Sequence, residues 1–132
     1  MKRIVFIVLA IMTTLSINAQ SEETLEEEKV YVNVEEIPQF PGGPSALFEF
    51  LSKNLKYPAE AEKNGVQGRV IVTFVVERDG SVSNAKIKKG VDPSLDKEAI
   101  RLIEIMPRWI PGKQEGKEVR TGYMIPITFK CQ

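Results

Sequence analysis

The sequence predicts an α+β domain: a three-stranded antiparallel sheet with helices packed on one face, in the order α-α-β-β-α-β. Three observations lead there. Residues 68–77 alternate β-branched and aromatic side chains and run into Asp79-Gly80, a hairpin turn signal. Residues 119–130 form a second alternating run. Between and before these runs, two stretches opened by proline repeat their apolar residues every three or four positions, as amphipathic helices do.

The length of 132 residues suits one compact domain with its own core. Lys+Arg and Asp+Glu are equal at 18 each, so no single-sign field or basic face points to nucleic acid. Histidine is absent, which removes the commonest general base and the commonest metal ligand. The single cysteine, Cys131, is penultimate, so an intramolecular disulfide is impossible and the thiol reads as part of a frayed tail.

Residues 1–19 read as a secretory signal peptide: Met1-Lys2-Arg3 is a positive start, residues 4–17 are an uncharged apolar stretch, and Ala19 suits the position before cleavage. Thr13, Thr14 and Ser16 interrupt a stretch already shorter than the roughly 20 apolar residues of a membrane span. No cysteine follows it to carry a lipid anchor. The expectation is a periplasmic protein, with retention of residues 4–17 as an inner-membrane anchor the alternative. Residues 20–39 are an acidic lead-in with only Leu25 to bury in the first ten, followed by an alternating Val30, Val32, Val34 that suits a short strand.

The domain proper is expected at 40–132. Pro38, Pro41, Gly42 and Gly43 punctuate the chain. Pro44-Ser45 opens a helix whose Ala46, Leu47, Phe50, Leu51 and Leu55 share one face. Tyr57-Pro58 ends it, because the residue before proline is pushed out of the α region, and a short second helix at 58–64 closes at Gly65. In the strand at 68–77, Val70, Val72, Phe74 and Val76 face one way; Ile71, Thr73 and Val75 face the other, toward a covering strand at 30–34 or a dimer surface. The return strand at 81–89 places Val82 and Ile87 at opposite parity, which calls for a bulge or for one of them pointing outward. Asp92-Pro93 caps and opens a third helix with Leu95, Ala99, Leu102, Ile103 and Met106 as its stripe. Trp109 reads as a core plug and residues 113–118 as a polar turn. In the last strand Val119, Tyr123, Ile125, Ile127 and Phe129 share a face. Pro126 cannot donate to a ladder, so this strand belongs at a sheet edge with Met124 and Thr128 turned to the open side.

Five fragments, in this order, carry a family resemblance: FPGG at 40–43, YPAEAEKNGVQGRVIVTFVVERDG at 57–80, LDKEAIR at 95–101, MPRWIPGKQEGKEV at 106–119 and IPITF at 125–129. The set resembles the C-terminal domain of TonB energy transducers, especially forms from Bacteroidetes-like genomes. The resemblance implies a periplasmic domain that grips the Ton box of a TonB-dependent outer-membrane transporter, the peptide adding as a strand beside the last strand. Carried onto this chain, the peptide-binding residues are Tyr123, Met124, Ile125, Pro126, Ile127, Thr128 and Phe129, with Tyr57 and Pro58 lining the groove. The roughly twenty residues between leader and domain reach at most about 70 Å, too little to cross the periplasm as transducers of this kind do. No catalytic residue, metal or cofactor is expected: Asp96 and Glu98 are two apart on a helix and do not share a face. A soluble peptide-binding module leads, an anchored transducer follows, and a homodimer joined through the same edge is the third reading.

Overall fold

The computed structural model describes residues 28–131. The signal peptide expected at 1–19, and the lead-in up to residue 27, lie outside the described residues. The elements run β1 (Val30–Tyr31), α1 (Pro44–Asn54), α2 (Ala59–Lys63), β2 (Gly68–Val76), β3 (Val82–Lys89), α3 (Pro93–Glu104), β4 (Gly112–Gln114) and β5 (Lys117–Phe129). The α-α-β-β-α-β order holds for the three helices and the three long strands, with β1 and β4 added to it.

The helices begin and end for local reasons. Asp92 caps α3, its carboxylate accepting the Ser94 N–H at 3.0 Å, and Pro93 occupies the first turn, where a missing N–H costs nothing. Pro44 opens α1 in the same way after Gly43, which has no side chain to cap the helix. After α2 the chain turns at Gly65 (φ 67°) and continues into β2.

The sheet has the order β1-β5-β2-β3, with β4 paired to β5 outside that path. β2 pairs antiparallel with β5 along its whole length, from Gly68 opposite Phe129 to Val76 opposite Thr121. Its other side pairs with β3 through a bulge: Thr73 faces Lys86 and Val75 faces Ser83, so Phe74 alone stands opposite Asn84 and Ala85. Asn84 takes a positive φ of 51° there. The extra residue reverses parity, which lets Val82 on one side and Ala85 and Ile87 on the other all rest against the core. The parity conflict in the sequence is thus resolved by the bulge.

One face of the sheet meets the helices. Val70, Val72, Phe74 and Val76 of β2 and Ile125, Ile127 and Phe129 of β5 are buried against Leu95, Ala99, Leu102 and Ile103 of α3. Each such side chain contributes roughly 1.5–3 kcal/mol as an upper figure for area removed from water. Trp109 is buried as expected, edge-on to Phe40 with ring centroids 5.5 Å apart and against Phe74 and Tyr123.

Several local expectations are corrected. The segment around Pro38 is more than punctuation: Glu36 pairs with Lys113 and Gln39 with Ile110 as isolated bridges, and Phe40 is buried. Residues 113–118 are not a free turn but a hairpin between β4 and β5, joined by Glu115 and Gly116 at φ 53° and 76°. Two positive-φ residues make the tight turn that matches the twist of the flanking strands. The strand expected at 30–34 stops at Tyr31, running parallel to Arg120 and Thr121 of β5. Cys131 is not on a loose tail; its backbone N–H donates to Gln67 and its thiol lies 3.2 Å from the Tyr57 hydroxyl.

Candidate functional site

The outer side of β5 divides in two. Its first residues are covered, by β4 opposite Lys117, Glu118 and Val119 and by β1 opposite Arg120 and Thr121. Beyond Thr121 no described strand pairs with that side, while β2 continues along the inner side to Phe129. The edge expected for the whole last strand is therefore open over its second half only.

Pro126 fixes which backbone groups face outward. It lies opposite Ile71 within an unbroken ladder, and a residue without an N–H fits there only with its nitrogen turned from β2. Alternation then turns the N–H and C=O of Met124 and Thr128 outward too. The side chains alternate with the backbone: Ile125, Ile127 and Phe129 are buried on the helix side, whereas Met124, Pro126 and Thr128 are exposed on the other face. Tyr123 is half-buried against Trp109 and Phe74. The seven strand residues named from the sequence thus form one stretch whose outer side pairs with no described strand.

Tyr57 and Pro58 sit elsewhere. The Tyr57 ring stands edge-on to Phe129 at 5.8 Å, and its hydroxyl donates to the Val66 carbonyl. The Cys131 thiol, followed by burial, pushes the Tyr57 hydroxyl up to about 12. Tyr57 thus closes the far end of β5 on the core side, and Pro58 leads into α2.

The 57–58 segment is positioned by a latch that the sequence did not reveal. Glu98 of α3 is buried and accepts Arg101 Nε at 2.6 Å, Arg101 Nη2 at 2.7 Å and the Lys56 backbone N–H at 2.7 Å. Arg101 Nη2 also donates to the Asn54 carbonyl at 2.9 Å. Burial alone would raise the Glu98 carboxyl, but the Arg101 guanidinium and the Lys56 N–H override it and hold it below the ordinary range. One carboxylate therefore joins the end of α1 and the strand-like link after it to α3. The i,i+3 spacing of Glu98 and Arg101 was a readable signal, but their meeting with Asn54 and Lys56 requires the tertiary fold.

A second ion pair braces the covered half of β5. Arg120 Nε meets Glu77 Oε1 at 2.7 Å, and Arg120 also donates to the Glu28 carbonyl just before β1. Arg120, with help from the Ser83 hydroxyl, holds the Glu77 carboxyl below its usual range. These carboxylates are occupied structurally. Among the described residues no group of three or more His, Cys, Asp or Glu could hold a metal ion, and no described helix is long and apolar enough to cross a membrane. What the arrangement offers is a row of main-chain donors and acceptors along the outer side of β5, the groups that an added strand would pair with.

Comparison with known proteins places this geometry. The family model for the Gram-negative bacterial TonB protein C-terminal matches residues 53–131. Protein TonB of Haemophilus influenzae is 40% identical over 62 residues, 46% of this chain and 23% of that protein. Protein TonB of Helicobacter pylori is 30% identical over 82 residues, 61% of this chain and 27% of that protein. The chain thus spans about a quarter of the length of these curated relatives. The NMR solution structure of the Helicobacter pylori TonB-CTD superposes with a TM-score of 0.52 at 25% identity, over 65% of this chain and 78% of that one.

Proposed function

The chain belongs to the TonB C-terminal family, and on that footing we propose that it is a non-catalytic periplasmic module that receives an extended peptide, the Ton box of a TonB-dependent outer-membrane transporter, as an added strand on β5. The observation that carries this reading is the unpaired outer side of β5 beyond Thr121, with Pro126 inside it. A strand laid there completes hydrogen bonds that no described strand makes at Met124, Pro126 and Thr128. Main-chain pairing of this kind supplies affinity, and neighbouring side-chain pockets supply choice. Its place in transmembrane transport, as the receiving end of an energy-transducing contact, is part of the same proposal.

The test is an NMR titration of ¹⁵N-labelled protein freed of residues 1–19, which keeps every described residue, with N-terminal plug peptides of outer-membrane transporters from the same cell. The expected outcome is saturable shifts concentrated on Tyr123, Met124, Ile125, Ile127, Thr128 and Phe129, with smaller ones at Tyr57. An absence of shifts, together with slow exchange at Met124 and Thr128 in the free protein, would sink the reading. It would mean that a second copy, or the chain's own N-terminal segment, already occupies the edge. N-terminal sequencing of the exported protein separates a free periplasmic module, beginning at Gln20, from one that keeps residues 4–17 as an anchor.

A further inference from the structure

None of the eleven residues of α1 is buried, although Ala46, Leu47, Phe50 and Leu51, with Leu55 just after the helix, all turn toward the core. The sheet beneath explains why. Near its start the helix shares a cavity with Tyr123 through Leu47, and after its end the chain returns to Phe129 through Tyr57. It thus follows the half of β5 whose outer side carries no further strand, and its apolar face finds only part of the cover that a wider sheet would give. At the point where β1 stops and the open edge begins lies a cavity of about 170 Å³. Pro38, Phe40, Pro44, Leu47, Trp109 and Tyr123 wall it, Ile37 is 60% exposed at its rim, and no charged residue lines it.

We infer that this cavity is a socket for one aliphatic side chain of the strand that adds to β5, so that the partner peptide must carry Val, Leu or Ile at a position facing the helices. The inference rests on the edge reading above and specifies the chemistry of its ligand. In an added strand every second side chain points to the helix side of the sheet. The first of these beyond β1 meets the cavity beside Tyr123. The volume suits a single branched aliphatic group, which there would trade water for contacts with Leu47, Tyr123 and the proline rings. A carboxylate or ammonium in the same place would lose its hydration and find no opposite charge. The socket also accounts for the order of the chain around it. The bridges from Glu36 to Lys113 and Gln39 to Ile110 hold residues 37–40 as its outer wall, and Gly43-Pro44 starts α1 directly above it.

The experiment begins from a peptide that shifts the β5 edge in the titration and replaces its residues one at a time by Asp. It is repeated on Leu47→Trp, which fills the cavity, and on Leu47→Ala, which enlarges it; the ¹⁵N spectrum of each free variant first checks the fold. The indole N–H of Trp109 is buried without an acceptor and serves as a reporter beside the cavity. The expected result is one peptide position at which Asp weakens binding about ten-fold or more. At that position Leu47→Trp should weaken the parent peptide by a similar factor, and Leu47→Ala should move the preference from Val toward Phe. The Trp109 indole signal should move only with peptides that keep an aliphatic group there. Edge shifts that persist with Asp at every position and are indifferent to both variants would overturn the socket while leaving strand addition standing. A failure of every peptide to shift β5 would remove strand addition, and the socket with it.

Discussion

A methyl group added at Gly80 would stand 2.1 Å from the Trp109 carbonyl oxygen, in a residue whose φ is already 89°. The Trp109 N–H donates to the Gly80 carbonyl at 2.8 Å, so the turn after β2 and the central indole are held to each other through main chain. Gly80→Ala is expected to cost about 2 kcal/mol or more, combining left-handed strain with a backbone clash, and urea unfolding should show a lower midpoint with an unchanged slope. Glu98 is the other residue on which distant parts depend. Its folded pKa is depressed, so its contribution is fully present above the unfolded carboxyl value near 4.3 and is lost as pH falls through the folded one. Glu98→Gln should cost about 1–2 kcal/mol at pH 7, less than for a fully buried pair because Arg101 is 36% exposed. The gap between wild type and variant should narrow as stability is measured from pH 6 down toward pH 3. A gap that stays constant over that range would mean the carboxylate charge is not what holds Lys56 and Asn54 to α3.

The two sides of β5 differ: one pairs with β2 from Thr121 to Phe129, and the other pairs with described strands only up to Thr121. A second proline at Met124, which shares Pro126's parity, removes only an outward N–H. Met124→Pro should leave the unfolding free energy within about 1 kcal/mol of wild type yet abolish peptide-induced shifts along the edge. Ile125→Pro removes an N–H from the β2 ladder and a buried side chain, and should leave no folded protein in a ¹⁵N spectrum. Loss of the folded ¹⁵N spectrum in Met124→Pro would show that the facing of β5 has been assigned backward. The turn that feeds β5 offers a gain. Glu115 takes a φ of 53°, which asparagine tolerates better, so Glu115→Asn should raise stability by a few tenths of a kcal/mol in thermal melts. These contrasts show what the sequence could convey. Alternation gave β2 and β5, the Asp92-Pro93 cap gave α3, and the parity conflict of Val82 and Ile87 announced the bulge, because each signal is local. β4 was missed because three residues, Gly112–Gln114, are too few to show a period. The parallel pairing of β1 to Arg120 and Thr121 was invisible because its partners lie some ninety positions apart. The same holds for the covered and open halves of the edge: Pro126 betrayed an edge strand, but only the fold shows where the cover ends.

Over the described residues, the structural ion pairs and the proposed docking edge are segregated. Lys+Arg and Asp+Glu balance at 18 each. The ion pairs that matter to the architecture brace it away from the open edge: Glu98 with Arg101 in the helix layer, and Glu77 with Arg120 beside β1. From Gly122 to Phe129 the edge itself holds no ionisable group other than the Tyr123 phenol. A strand added there, as proposed, would draw on main-chain hydrogen bonds and apolar contact, and neither is screened by salt at these distances. Steering by complementary charge, by contrast, decays over a Debye length of about 8 Å at physiological ionic strength. Peptide affinity is therefore expected to change by no more than about two-fold between 50 and 500 mM NaCl, while remaining sensitive to substitution at Met124. Calorimetry across that range provides the measurement. A ten-fold loss in high salt would place the dominant contacts on charged groups outside residues 122–129 and would overturn main-chain pairing and apolar contact as the source of affinity.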